Sequence, residues 1–222
     1  MLRVAFLPIP AARWSTLFHV LTLERPGVRL VWRPSGFPTS DRHLLEEADV
    51  GLFLEPPEVP GLAALTVGVS RMVVIMAVGH RLARTNHELR VADILDEPFA
   101  GGPDVHPEWA AFWTLDAYRG GPPARGGQVS VTDEAIELVA SGSAIATFPE
   151  SLFDGLPHPG VVSVPLVDGP PVRTRLVWRV GDDNRDVEHL VDIARDMYGY
   201  DAARRRGPGS VPRAGGAQPD VS

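Results

Sequence analysis

A chain of 222 residues, with 44% hydrophobic and 22% charged side chains, can bury a sizeable core and has the balance of a globular protein. Its 28 acidic and 21 basic side chains leave a net charge of −7, which repels a phosphate backbone and argues against DNA binding by this chain unaided. There is no cysteine, so disulfides and thiolate chemistry are excluded; no apolar stretch reaches membrane-spanning length, and the N-terminal run is cut by Pro8, too short for a signal peptide. A cytoplasmic protein is expected.

In chain order, Leu2 to Leu7 is a continuous apolar run suited to a buried parallel strand. Trp14, Leu17, Phe18 and Leu21 mark one face of a helix reaching about Leu23, and Val28 to Trp32 alternates as a strand. Ser40 or Asp41 can cap a short helix through Glu47, and Asp49 to Leu54 is the next strand, ended by Pro56-Pro57. Strand, helix, strand, helix, strand is the opening of a doubly wound α/β lobe. Leu62 to Val67 and Met72 to Val78 are two further strands, separated by Gly68 to Arg71. One helix is expected from Glu108 to about Tyr118, a surface loop over the Gly-rich Arg119 to Gly127, and a strand from Gln128 to Val131.

The most informative segment is Thr132 to Pro149. Thr132 can cap a helix with Glu134 and Glu137 near its positive end, Ile136, Val139 and Ala140 line one face, and Gly142 stops it. Ala144 to Phe148 then forms a buried strand ended by Pro149. Such a unit commonly turns its helix N-terminus toward a ligand cleft. Val161 to Val167 and Arg173 to Val180 are strands, and Val187 to Met197 a final amphipathic helix. From Asp201, Arg204-Arg205-Arg206 and a Gly, Pro, Ser and Ala tail lack the apolar side chains to offset ordering entropy, so 201–222 is expected to be disordered. The order suggests two Rossmann-like lobes, one from about 1–70 and 150–200, the other from about 71–149, joined by two crossings near Ser70 and near Phe148-Pro149.

The wording T-D-E-A-I-E-L-V-A-S-G-S-A-I-A-T-F-P (Thr132 to Pro149) resembles the effector-binding domain of LysR-type transcriptional regulators. L-R-V-A-F-L-P at the start, E-R-P-G-V-R-L (Glu24 to Leu30), E-E-A-D-V-G-L-F (Glu46 to Phe53), V-G-H-R-L-A (Val78 to Ala83) and V-A-D-I-L-D-E-P-F (Val91 to Phe99) are similar to that family's segments in the same order. The resemblance spans Leu2 to about Met197. It implies an α/β fold of the type 2 periplasmic-binding-protein kind, with a small-molecule effector held between the lobes and domains paired as a homodimer or homotetramer. Exposed apolar residues on the Trp14-to-Leu23 helix would suit that pairing. The family's N-terminal winged helix-turn-helix and linker helix have no counterpart in this sequence, so DNA contact is expected only through such a separate segment.

By position, the resemblance puts Pro8, Ile9 and Pro10 in the loop after the first strand, where relatives carry Ser or Thr to hold a carboxylate. These residues offer no hydroxyl, and Arg13 is either a replacement charge for an anion or a solvated arginine of the first helical turn. Thr132 is the leading candidate, either meeting a ligand or serving as a helix cap alone. Ser70 at the hinge is either a contact or an ordinary strand-end hydroxyl. In the second lobe Gly102 permits close backbone approach, and Asp104 or His106 can bond a ligand; Asp104 otherwise serves a turn. Trp109 reads as a core residue rather than a stacking platform. Phe148 either walls the cleft or packs.

An enzyme is not expected: H-E-x-x-H, G-x-S-x-G and a Walker loop are missing, and the seven histidines lack metal-ligand spacing. No cofactor is expected. Two other readings stay open, a solute-binding protein of the same fold and a domain that modulates a full-length regulator without touching DNA.

Overall fold

The computed structural model describes residues 1–6, 14–55, 58–84, 88–102, 104–153 and 157–205, without the side chains of 42, 43, 125 and 200–205. The first lobe is built on a five-stranded sheet. β1 (Leu2–Phe6), β2 (Leu30–Pro34) and β3 (Val50–Leu54) run parallel, and β10 (Val172–Arg179) lies antiparallel between β3 and β4 (Leu62–Ser70), giving the order β2-β1-β3-β10-β4. β3 is buried along its whole length, as its unbroken apolar run requires of a central strand. α1 (Ser15–Glu24) and α6 (Arg185–Arg205) cover one face: Leu17, Phe18 and Leu21 meet Val187, Leu190, Val191 and Ala194 over Leu2, Val4, Leu52 and Leu176. The apolar stripe of α1 is therefore spent inside the domain rather than offered for pairing. Leu23, beside it, stays 64% exposed.

In the second lobe β5 (Met72–Ala77) lies between β8 (Ala146–Pro149) and β9 (Val161–Pro165), antiparallel to both. β6 (Phe99–Gly101) pairs parallel with β7 (Arg125–Gln128), and a Phe99–Ile145 bridge ties that pair to the chain entering β8. α2 (Pro107–Trp113), α3 (Asp116–Arg119), α4 (Thr132–Ala140) and α5 (Glu150–Phe153) complete this lobe.

Several expectations are corrected here. β9 pairs with β5, so the chain returns to the first sheet between Leu166 and Val172 and not at Pro149, and 150–166 belong with the second lobe. The two crossings lie side by side: Val172 pairs with Ser70, and the Leu166 amide donates to the Met72 carbonyl at 3.2 Å. β4 runs through Gly68 and Val69 to Ser70, since β10 supplies a partner for each. The helix expected from Glu108 to Tyr118 is two helices. Thr114 Oγ1 donates back to the Ala110 carbonyl and lies 2.6 Å from Asp116 Oδ1, while Leu115 turns left-handed at φ 60°. The Gly-rich surface loop ends in β7, where a Cβ on Gly126 would stand 2.4 Å from the Ala144 Cβ; that glycine serves close packing. α6 continues beyond Met197 to Arg205, so the first five residues of the expected tail are helical, and 206–222 lie outside the described residues.

Candidate functional site

A cleft opens where the C-terminal ends of the strands face the second lobe, with about 680 Å³ of atom-free space including its mouth. From the first lobe come Phe37, after β2, and Leu54, at the end of β3. The second lobe supplies Gly101 and Gly102 at the end of β6, Trp109 and Trp113 on α2, Thr132 on α4 and Phe148 on β8.

Each wall has a local cause. Gly102 follows β6 so closely packed that a Cβ would sit 2.6 Å from the Val129 carbonyl oxygen and 2.8 Å from Val105. Gly102→Ala should cost about 1–3 kcal/mol by overpacking, read as a lower urea midpoint. α4 begins one residue earlier than a Thr132 cap would have it: Val131 is the extended N-cap and Thr132 the first helical residue. No side chain caps α4; Glu134 Oε2 instead accepts from the amide of Ser130, the residue before the N-cap, at 2.7 Å. Thr132 is only 5% exposed on the cleft wall, its hydroxyl without a partner among the described residues. Two other wall hydroxyls are engaged, Thr114 as above and Thr147 with the Trp113 carbonyl.

Trp109 is 8% exposed and its Nε1 donates to the Leu54 carbonyl at 2.9 Å, across the lobes. Its ring lies between Phe37 (centroids 4.8 Å) and Trp113 (5.5 Å). Two backbone bonds add to this bridge: the Phe37 amide donates to Ser130 O at 3.2 Å, and the His106 amide to Pro38 O at 2.7 Å. The lobes are drawn together over the cleft.

Gly102, Thr132 and Phe148 thus stand on one cleft, and the other candidates among the described residues do not. His106 turns its ring to the first lobe, Nε2 lying 3.0 Å from Asp41 Oδ1. Asp104 is exposed and off the wall. Ser70 is at the hinge, but its hydroxyl accepts from the Ser151 amide at 3.1 Å and lies 3.3 Å from the Arg71 carbonyl, which it donates to, so it holds the start of α5 instead. Pro8, Ile9, Pro10 and Arg13 lie outside the described residues. Sequence reasoning missed Phe37, Leu54, Trp113 and Thr147. Leu54 sits at a strand's C-terminal end, where ligands of α/β sheets gather, and that rule would have found it.

Residues 1–199 match the family model for the LysR substrate binding domain. The chain belongs to the LysR substrate-binding domain family. Similar solved structures agree on the fold. The effector-binding domain of a BenM variant has a TM-score of 0.71 at 18% identity over 90% of this chain and 95% of that one. BenM's effector-binding domain with its effector benzoate gives 0.68 at 18% identity over 98% of each chain. The C-terminal domain of a probable LysR family transcriptional regulator from Rhodococcus sp. RHA1 gives 0.65 at 17% identity, over 87% and 97%. No curated protein sequence matches this LysR-type domain. The family and these neighbours are regulatory effector-binding domains. Among the described residues no helix is long and apolar enough to cross a membrane, and no cluster of three or more His, Cys, Asp or Glu could hold a metal.

Proposed function

We propose that this chain is the sensory domain of a LysR-type regulator, which binds a small-molecule effector in the cleft between its lobes. The domain works in an oligomer in the cytoplasm and reaches DNA through a winged helix-turn-helix elsewhere. The observation that carries the reading is Thr132: a residue only 5% exposed, its hydroxyl without a partner among the described residues, at the first turn of α4 on the wall of an inter-lobe cleft. A ligand touching both Leu54 and Thr132 binds the closed arrangement better than an open one, and only that difference can shift the oligomer. Full-length CbnR has been solved with its target DNA, and this chain spans 70% of that one at a TM-score of 0.68, which supports the division of labour.

The test is a thermal-shift screen of the protein against metabolites, neutral and charged. A binder should raise the melting temperature with concentration, and Thr132→Ala should lower its affinity about tenfold, the value of one hydrogen bond, without lowering the melting temperature of the free protein. Arg13→Ala belongs in the same series as the candidate outside the described residues. A ligand bound equally by wild type and Thr132→Ala would move the site away from the head of α4.

A further inference from the structure

The chemistry of the cleft wall narrows the effector class, an inference that rests on the functional reading above. Among the described residues the wall has no charged side chain. Its large surfaces are the rings of Phe37, Trp109, Trp113 and Phe148, with Leu54 and Val129 also on the wall. The indole N–H of Trp109 is already committed to Leu54, so its ring offers an apolar face only. Burying an ion against such a wall strips its water and returns no counter-charge.

The helix termini point the same way. α4 opens on the cleft with Thr132, and its positive end has Asp133 and Glu134 in its first turn, the latter bonded at 2.7 Å to the Ser130 amide. α2 has Pro107 at its start, which lacks an N–H, and Glu108 beside it. The dipole that would draw an anion is answered by the chain's own carboxylates. What remain are two neutral groups, the Thr132 hydroxyl, able both to donate and to accept, 5% exposed and unpartnered among the described residues, and the buried Trp113 Nε1, a donor without a partner among them.

We propose that the cleft takes an uncharged, flat, largely apolar molecule, its rings against Phe37, Trp109 and Trp113 and one amide, carbonyl or hydroxyl group on Thr132. An apolar pocket with few convergent polar groups selects by shape and by those few bonds, the Thr132 hydroxyl serving either partner and the Trp113 N–H only an acceptor.

Matched arenes test it: benzamide against benzoate and benzylamine, and 2-naphthamide against 2-naphthoate, titrated into the whole chain at neutral pH with tryptophan fluorescence as the readout. The neutral member of each set should bind at least about tenfold more tightly than its charged counterparts, because the desolvation of an unpaired charge costs far more than that of an amide. Two variants place the binding. Gly101 lines the cleft, and a Cβ there meets nothing within 4 Å, so a side chain can start from it into the open space; Gly101→Leu should weaken the amides about tenfold or more at unchanged melting temperature. Thr132→Val keeps the shape and removes the hydroxyl, and should weaken the amides with no need of Gly101→Leu. A carboxylate or amine that binds as tightly as its amide overturns the neutral class, as does failure of every amide to bind. In either case a charged metabolite from the wider screen that loses affinity in Gly101→Leu would preserve the effector-binding reading, whereas no ligand at all would sink both.

Discussion

Trp109→Ala is expected to destabilise the protein by about 3–5 kcal/mol, the range for removing a buried large aromatic side chain. The indole is 8% exposed, packs between Phe37 and Trp113, and bonds through Nε1 to the Leu54 carbonyl at the end of β3. It therefore joins a helix of the second lobe to a strand of the first, and its removal opens a cavity where the lobes meet. Trp109→Phe separates the two contributions: most of the packing stays, the bond to Leu54 goes, and about 1–2 kcal/mol should be lost. Urea unfolding followed by circular dichroism gives both values. A loss within about 1 kcal/mol for Trp109→Ala would mean that the lobes do not depend on this bridge, since that is the size of an average point substitution.

The sequence reading and the structure agree where periodicity carries the information. α4 is legible because its apolar positions and the left-handed Gly142 at its end (φ 78°) are local signals, and β3 and β5 because unbroken apolar runs go to sheet centres. The second crossing is not legible: Val161 to Pro165 reads as a strand whichever sheet it joins, and only pairing with β5 decides. The role of His106 depends on a partner 65 residues away, Asp41, so its lobe-to-lobe contact has no sequence signal. Phe37 sits in a Pro- and Ser-containing stretch without periodicity, yet the Ser130 carbonyl fixes its backbone and brings its ring to Trp109. Thr132 shows both sides. Its place at the head of α4 follows from the local pattern, while its free hydroxyl goes with its sitting one position inside the N-cap, Val131, rather than at it.

The Arg3–Asp49 pair should make stability depend on pH. Arg3 Nη2 lies 2.6 Å from Asp49 Oδ1, and the Arg3 amide donates to Oδ2 at 2.7 Å, tying β1 to the start of β3. Burial by itself would push the Asp49 carboxyl up, but the side-chain and backbone bonds from Arg3, with the charges of Arg3 and Arg179, outweigh it and hold the carboxyl below its usual range. A carboxyl depressed on folding stabilises fully above its unfolded value of about 4, and that stabilisation fades as pH falls from there through the folded value. At neutral pH Asp49→Asn should cost about 1.5–3 kcal/mol, the worth of hydrogen bonds to a charged group, toward the low end because the Arg3 side chain is 42% exposed. Below the folded value, wild-type Asp49 is itself neutral, so the difference between the two proteins should shrink as denaturation is measured at pH 7, 5, 4 and 3. A gap that stays constant across that series would show that the substitution loses packing or geometry, and that the charge on Asp49 contributes nothing to holding β3 against β1.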